Sequence, residues 1–328
     1  MQKIYVGVDV GGTKTAVVVS ARPPVNLGRV EFATQPECGP EPALVRIQQS
    51  VRSLLAQHGF GEEQIAAIGV SCGSPLDREK GIVHAPPNLS TWVDVPIRRL
   101  LEEAFHTTCR VENDANAGAV AEHRFGAGMG TDHMVLLTLG TGLGAGIIAG
   151  GSLYLGAKGD AGEIGHVRLS PTGPVGYHKA GSIEGWASGG GIAQLAVRML
   201  AQAERRGRSS MLQAQVARGG VLTARDVGHA AQSGDVVALR ILRSSGARLG
   251  QAIAMLIDVL NPQRIVLGGL AMRLGESLLA PMRRVIEREA LPQSLRACEI
   301  VPAALGEQIG DVAALCVAMG LEGKGSSL

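Results

Sequence analysis

The chain has 328 residues, 45% of them hydrophobic and 18% charged, with a formal net charge of +2. That length leads us to expect two domains, each able to bury a core, and the balance excludes a disordered chain. The near-neutral charge gives no footprint for nucleic acid, and no apolar run is long enough to span a bilayer. Five scattered cysteines (Cys38, Cys72, Cys109, Cys298, Cys316) without a C-x-x-C pair fit free thiols in a reducing, cytoplasmic setting. Aromatics are only 3% while glycines number 46, so the core must rest on aliphatic residues with close backbone approaches.

In chain order, Ile4–Val10 alternates, with Ile4, Val6, Val8 and Val10 on one face and Tyr5, Gly7 and Asp9 on the other. This is a strand that delivers Asp9 to a turn. Thr15–Ser20 and Arg29–Ala33 continue as strands, and Pro42–Gln57 reads as a helix ended by His58-Gly59. Ile65–Ser71 is an apolar strand, Ile97–Phe105 a helix and Cys109–Glu112 a short strand; a helix follows from Ala115 to about Arg124. Gly126–Gly130 is the expected lobe boundary. Two strands then flank a glycine turn, with Gly150-Gly151 as their hairpin exit. Ile183–Arg206 reads mainly as helix after an interruption at Gly189-Gly190-Gly191, and Gln213–Gly220 as a surface insertion. Asp235–Leu260 is a long helix stopped by Asn261-Pro262. Arg264–Leu267 is a buried strand leading into Gly268-Gly269. Leu274–Glu289 is a helix, Glu299–Pro302 a strand, Val312–Met319 a helix and Glu322–Leu328 a frayed tail. Strands interleaved with helices argue for an α/β fold with partly parallel sheets.

Two glycine-rich turns are the most informative segments. Asp9-Val10-Gly11-Gly12-Thr13-Lys14 follows the first strand, and Leu139-Gly140-Thr141-Gly142-Leu143-Gly144-Ala145-Gly146 follows Met134–Thr138. Glycine lets successive backbone N–H groups turn toward one point, which makes an anion nest. One such turn alone is equally an ordinary tight hairpin. Two, each between β-type runs, suggest two lobes that grip one polyphosphate from both sides. Between them lies Val111-Glu112-Asn113-Asp114-Ala115-Asn116-Ala117, and after the second comes Gly162-Glu163-Ile164-Gly165-His166.

Together these motifs resemble the ROK family (repressors, open reading frames and sugar kinases), on the side of its glucokinase-like sugar kinases, from about Ile4 to Met319. The resemblance implies a two-lobed, duplicated ribonuclease-H-like fold of the actin, hexokinase and Hsp70 type with a central cleft. It places residues 1–125 plus about 306–328 in the N-terminal lobe and 126–305 in the C-terminal lobe. It also implies ATP with Mg²⁺, and a homodimer is what relatives suggest.

Phosphoryl transfer needs the phosphates held, a metal, and a base aimed at the attacking hydroxyl. Gly11, Gly12 and Thr13 would supply donors to phosphate, with Lys14 as an added cation that relatives often leave peripheral. Gly140, Thr141 and Gly142 resemble the second phosphate turn. Gly268 and Gly269 resemble the nucleoside-binding turn, although alone they read as a strand-to-helix bend. Asp9 is placed to orient a hydrated Mg²⁺. Asp114 is the expected catalytic base: in the family's Asn-Asp pair the Asn, here Asn113, holds sugar hydroxyls and the Asp takes the proton of the one phosphorylated. Alone, an Asp before a helix is more often an N-cap. Glu163, His166 and Glu184, with Asn88 in Pro86-Pro87-Asn88-Leu89-Ser90-Thr91-Trp92, match the family's sugar contacts. Glu163 and His166 could share a pocket if their segment turns helically. Trp92 is either a stacking platform or a buried structural tryptophan.

Two departures from the family pattern stand out. Many members carry C-x-C-G-x-x-G-C-x-E after the Gly-His pair, and its cysteines with that His bind a structural zinc. Here those positions hold Val175, Tyr177 and Ser182, while Glu184 remains. No zinc is expected, and His166 must be oriented by hydrogen bonds from other partners; His178 is expected to be a loop histidine rather than a metal ligand. The second departure is Gly73-Ser74, where relatives often have Pro-Gly beside the sugar. Repressors of the family carry a helix-turn-helix domain ahead of the first turn; with eight residues before Asp9, none is expected here.

The reading is a cytoplasmic ATP- and Mg²⁺-dependent kinase of a free hexose, glucose first, phosphorylated at O6 by ATP with Asp114 as general base. N-acetylhexosamines, mannose and fructose are the next substrates. Its rivals are a catalytically silent sugar sensor and an acyl-phosphate-forming kinase. Asp9 and Asp114 together argue against the first, and acidic and amide groups in place of cations against the second. Partners are a small-molecule sugar and ATP, with no nucleic acid and no membrane.

Overall fold

The computed structural model describes residues 2–321, so the tail Glu322–Leu328 lies outside the described residues. The chain divides into two units: Met1–Asp132 with Gly146–Ala161 and Ala304–Leu328, and His133–Ala145 with Gly162–Ala303.

The first unit begins with strands β1 (Ile4–Val10), β2 (Lys14–Ser20) and β3 (Gly28–Ala33), followed by helix α1 (Pro40–Gln57) and β4 (Ile65–Cys72). A small hairpin of β5 (Leu76–Asp77) and β6 (Ile82–Val83) precedes α2 (Ile97–Phe105), β7 (Cys109–Asn113) and α3 (Asp114–Phe125). The sheet order is β3-β2-β1-β4-β7, antiparallel through the first three strands and parallel from β1 to β4 to β7. The alternation in β1 works as the pattern predicts. Ile4, Val6, Val8 and Val10 join the core with Ile47, Val51 and Leu54 of α1. The opposite face receives the last described helix of the chain, α12, introduced below.

The chain continues through β8 (Met134–Leu139), β9 (Leu143–Ala149) and β10 (Ser152–Leu153), with the division between units falling inside β9. The second unit then adds the hairpin β11 (Val175–Gly176) and β12 (Lys179–Ala180) and helices α4 (Ile183–Ala187), α5 (Gly189–Arg205), α6 (Leu212–Ala217), α7 (Ala224–Gln232) and α8 (Val236–Leu260). It ends with β13 (Arg264–Gly269), α9 (Leu270–Leu274), α10 (Glu276–Glu289), α11 (Pro292–Arg296) and β14 (Glu299–Pro302). Helix α12 (Ile309–Met319) belongs to the first unit. The second sheet, β10-β9-β8-β13-β14, repeats the third-second-first-fourth-fifth order of the first sheet. This repeat is the duplication expected of the actin and hexokinase type.

Helix α12 lies on the Tyr5, Gly7 and Asp9 face of β1. A Cβ on Gly7 would stand 3.0 Å from Ala314 Cβ, and one on Gly310 would overlap Asp9 Oδ2. The helix therefore seats its first turn on the carboxylate at the end of β1. Helix α8 is capped by Asp235, whose Oδ1 accepts from Val237 N–H at 2.8 Å and Ala238 N–H at 2.9 Å, and is closed by Asn261 at φ 44°.

Two expectations need correction, and one helix starts later than read. The break before α5 is not at the three glycines but at Ser188, which is extended and whose Oγ accepts from Gly191 N–H at 3.1 Å; the glycines form the first turn. Gln213–Gly220 is not a plain insertion: most of it is α6, whose Leu212 is buried and whose start is tied to Asp235 Oδ2 by Ser210 Oγ at 2.8 Å. The helix read at Leu274–Glu289 is α10, which starts at Glu276 because Gly275 at φ 56° separates it from the short α9. Helices α7 and α11 were not anticipated, although Thr223 and Asp226 form a capping box at the start of α7.

Candidate active site

In the first unit the β1–β2 turn is closed by Gly11 N–H donating to Lys14 O at 3.0 Å. Two buried threonines brace it: Thr34 Oγ1 donates to Gly11 O at 2.6 Å and lies 2.9 Å from Thr15 Oγ1, while Thr34 N–H donates to Thr13 O at 3.1 Å. The Asn88 loop packs on the turn: a Cβ on Gly12 would lie 2.5 Å from Asn88 Cβ and 2.6 Å from Asn88 O. Lys14 is exposed and paired with Glu31 at 2.9 Å, so its charge is already partnered.

Asp9, at the end of β1, is opposite Ser71 of β4 in the sheet register. Burial pushes its carboxyl up to about 6, helped by the negative charges of Asp114 and Asp311 and opposed by a hydrogen bond from Ser71 and by Lys14. Asp311 is held by Arg29 Nε at 2.8 Å and Asn26 Nδ2 at 3.2 Å. Burial followed by the Asp114 and Asp9 charges also pushes the buried Cys72 thiol far up, which makes it inert.

At the β7–α3 junction the helix starts at Asp114, one residue before the expected Ala115, and the cap alternative for Asp114 falls. The N-cap is Asn113, not Asp114: Asn113 Oδ1 accepts from Ala115 N–H at 2.9 Å and Asn116 N–H at 3.3 Å. Its Nδ2 donates to Ser74 Oγ at 2.7 Å, so the hydroxyl at the departure from the family pattern is the partner of this amide. Asp114 is the first helical residue, open to solvent, with Oδ1 accepting from Ala115 N–H at 2.8 Å. Although part of the side chain reaches solvent, desolvation by the protein packed around it pushes its carboxyl above the usual range, and that N–H offsets part of the rise. Glu112, buried beneath, accepts from Asn113 N–H at 2.9 Å, Asn116 Nδ2 at 3.1 Å and Arg78 Nε at 2.8 Å. Trp92 is fully buried in the core, which settles it as structural.

In the second unit, Gly140 N–H donates to Gly142 O at 2.9 Å. The first turn of α5 meets this loop: Gly189 N–H donates to Gly140 O at 2.8 Å and Gly190 N–H to Thr141 O at 3.2 Å. Glu184 on α4 supports the loop from another side, its Oε2 accepting from Leu143 N–H at 3.1 Å. A Cβ on Gly142 would lie 2.8 Å from that oxygen, and one on Gly165 would stand 3.5 Å from Glu184 Cβ. The second turn, Glu184 and the Gly162–His166 segment are therefore one cluster. Glu163 precedes a single 3₁₀ turn over Ile164–His166, so the helical turn that would let the two share a pocket is present, and both Glu163 and His166 are exposed. Gly268 and Gly269 end β13 opposite Thr138 and Leu139. Gly269 has φ 67°, and a Cβ there would overlap Leu139 O.

The positions of the family's zinc cysteines have other work here. Val175 is clamped by the Gln194 amide at 2.9 and 2.8 Å, and Ser182 Oγ caps α4 by accepting from Gly185 N–H at 3.1 Å. Tyr177 stands edge-on to the His166 ring at 6.0 Å, so a ring contact accompanies His166 where hydrogen bonds had been expected. Among the described residues no three His, Cys, Asp or Glu side chains gather as a metal site.

The ROK family profile matches residues 5–320. A glucokinase of Halalkalibacterium halodurans is 36% identical over 93% of this chain and 92% of its own length, and one of Thermotoga maritima 33% identical over 95% and 96%. A ROK family glucokinase of Streptomyces griseus, solved with glucose and AMPPNP, is 31% identical and superposes with a TM-score of 0.76 over 96% of this chain and 99% of its own. With the duplicated sheets, two glycine turns and an Asn-Asp pair opening a helix, this chain belongs to the ROK family.

Proposed function

We propose that this protein is an ATP-dependent sugar kinase that phosphorylates glucose at O6. The observation that carries the reading is Asp114 at the first position of α3, solvent-accessible and with a raised pKa, beside an Asn113 fixed on both amide atoms. A carboxylate there accepts the proton of a sugar hydroxyl as that oxygen attacks phosphorus. The glucokinases at 36% and 33% identity over nearly full length supply the substrate class.

Asn88, Asn113, Glu163, His166 and Glu184 are assigned to the sugar. Glu184 does so while one oxygen holds the Leu143 amide, and Asn113 while it caps α3. Gly11, Gly12 and Thr13 and, from the second unit, Gly140, Thr141 and Gly142 are assigned to the nucleotide phosphates, with Gly268 and Gly269 toward the nucleoside. The crowding of Asp9 by Asp114 and Asp311 fits a site for Mg²⁺. Asp9 would hold the ion through its water shell, and the ion would neutralise charge on the phosphates. We keep residues 1–125 with the segment from about 306 as the N-terminal lobe. No described helix is long and apolar enough to cross a membrane, and the free cysteines fit a cytoplasmic enzyme. A homodimer completes the proposal.

The test is ADP release from ATP and Mg²⁺ with a panel of hexoses and N-acetylhexosamines, beside Asp114→Asn. Turnover with glucose that falls about 10²- to 10⁴-fold in the variant is expected. Sugar binding without turnover in the unsubstituted protein would overturn the kinase and favour a sensor.

A further inference from the structure

The first unit holds a cavity of about 240 Å³ whose wall includes Arg78, Arg98, Arg110, Glu112, Cys316 and Gly320. None of the residues assigned above to sugar or nucleotide lines it. We propose that this cavity is a second ligand site, built to bind a phosphate group, free or carried by a small monoester.

The argument starts from where the guanidinium groups spend their hydrogen bonds. Arg78 is paired with Glu112 at 2.8 Å. Among the described residues Arg98 donates to main-chain oxygens, Glu79 O at 2.6 Å and Arg78 O at 3.1 Å. Its Nε is buried with no hydrogen-bond partner among the described residues. Arg110 likewise donates to a carbonyl, Ala318 O at 2.8 Å. A guanidinium carries five N–H donors and stays charged at any ordinary pH. Two cations held by neutral carbonyls around an open space keep both charge and donors in reserve. The other acidic wall residue, Glu79, is exposed, and Glu112 is already saturated by Arg78, Asn113 and Asn116.

A tetrahedral phosphate suits such a setting, because separate oxygens can take forks from separate arginines. The size agrees: at about 240 Å³ the cavity falls below the roughly 300 Å³ at which sites for larger organic ligands begin, and suits a small anion. The site also reaches the chemistry. Glu112, in its wall, holds Asn113 N–H and the Asn116 side chain, and an anion that shares Arg78 loosens Glu112 from its cation. The occupant would act on the β7–α3 junction from behind.

Calorimetry on the full chain, with inorganic phosphate and with a hexose 6-phosphate as separate titrants, tests this. Arg98→Gln and Arg110→Gln are each expected to weaken phosphate binding about ten-fold, with sulfate competing and acetate not. The two titrants tell free phosphate from a monoester, and binding of either through these arginines supports the site. Because both arginines also tie main chain, a second measurement uses the unsubstituted protein. Phenylglyoxal modification mapped by peptide mass should show phosphate shielding Arg98 and Arg110. Undiminished affinity in both variants, or no shielding at either arginine, would overturn the proposal and assign any phosphate bound to the glycine turns. Neither readout involves turnover, so its failure would leave the kinase reading standing.

Discussion

Ser74 Oγ accepts a 2.7 Å hydrogen bond from Asn113 Nδ2, while Asn113 Oδ1 caps α3. The amide that the family pattern assigns to sugar hydroxyls is thus held at both ends, and its plane is set by a hydroxyl that relatives with Gly at this position lack. Ser74→Ala frees the Nδ2 end without altering the cap. The expected result is a rise in KM for sugar of roughly five-fold, the equivalent of about 1 kcal/mol, with kcat changed less. Steady-state kinetics at saturating ATP would show it, and an unchanged KM would mean that Asn113 is positioned by the cap alone.

Asp9 gives a pH signature. Its carboxyl ionises at about 6 in the folded protein and at 3.8 in a free chain, chiefly because folding buries it. Between those values the folded state holds the extra proton. Stability is therefore highest below the window, falls as pH rises through it, and stays lower above it. Asp9→Asn removes this penalty and should be more stable than the parent at about pH 7 by of order 1–2 kcal/mol, with little gain at about pH 4. The same variant should lose Mg²⁺-dependent ADP release. Urea midpoints across that range decide the first point; equal gains at both ends would refute it.

Glu122 on α3 is fully buried, and its carboxylate accepts from Ala127 N–H at 2.7 Å, Ala304 N–H at 3.1 Å and Leu305 N–H at 2.9 Å. It staples the end of α3 to the point where the chain re-enters the first unit. Glu122→Gln replaces one acceptor with a donor facing an N–H, and should cost about 2–4 kcal/mol. Thermal or urea unfolding measures the loss, and a change under about 0.5 kcal/mol, the scale of an ordinary surface substitution, would count against the staple.

Tyr177 is the ring beside His166 in the hairpin that replaces the zinc segment. Tyr177→Ala should raise KM for sugar about three- to ten-fold, whereas Tyr177→Phe should stay within two-fold or so, because the contact is made by the ring and not the hydroxyl. Parallel losses in both variants would point instead to a hydrogen bond through the phenol.

The sequence was most legible where one physical rule acted alone. The alternation in β1, the Asp235 and Asn261 ends of α8, and the apolar run of β13 each appear where their patterns put them. Residues with two roles were harder to read. Asn113 and Asp114 are both good capping types, and only the backbone shows which of them is the cap. The three glycines at 189–191 read as a helix breaker, but their bare N–H groups are what let α5 close on the second turn. Thr15 and Thr34, the brace behind the first turn, gave no signal beyond two β-branched residues, one in β2 and one just past β3. Their pairing depends on the register of β2 against β3.

The charges around the first turn form a ladder: Lys14 to Glu31, Glu31 to Arg29, Arg29 to Asp311. Each cation on it is balanced before any ligand arrives. What the turn itself presents is a backbone braced by two threonines rather than a free cation. If the turn holds phosphate as proposed, its selectivity would rest on contour, since the ladder leaves no free cation on hand to draw an anion of the wrong shape.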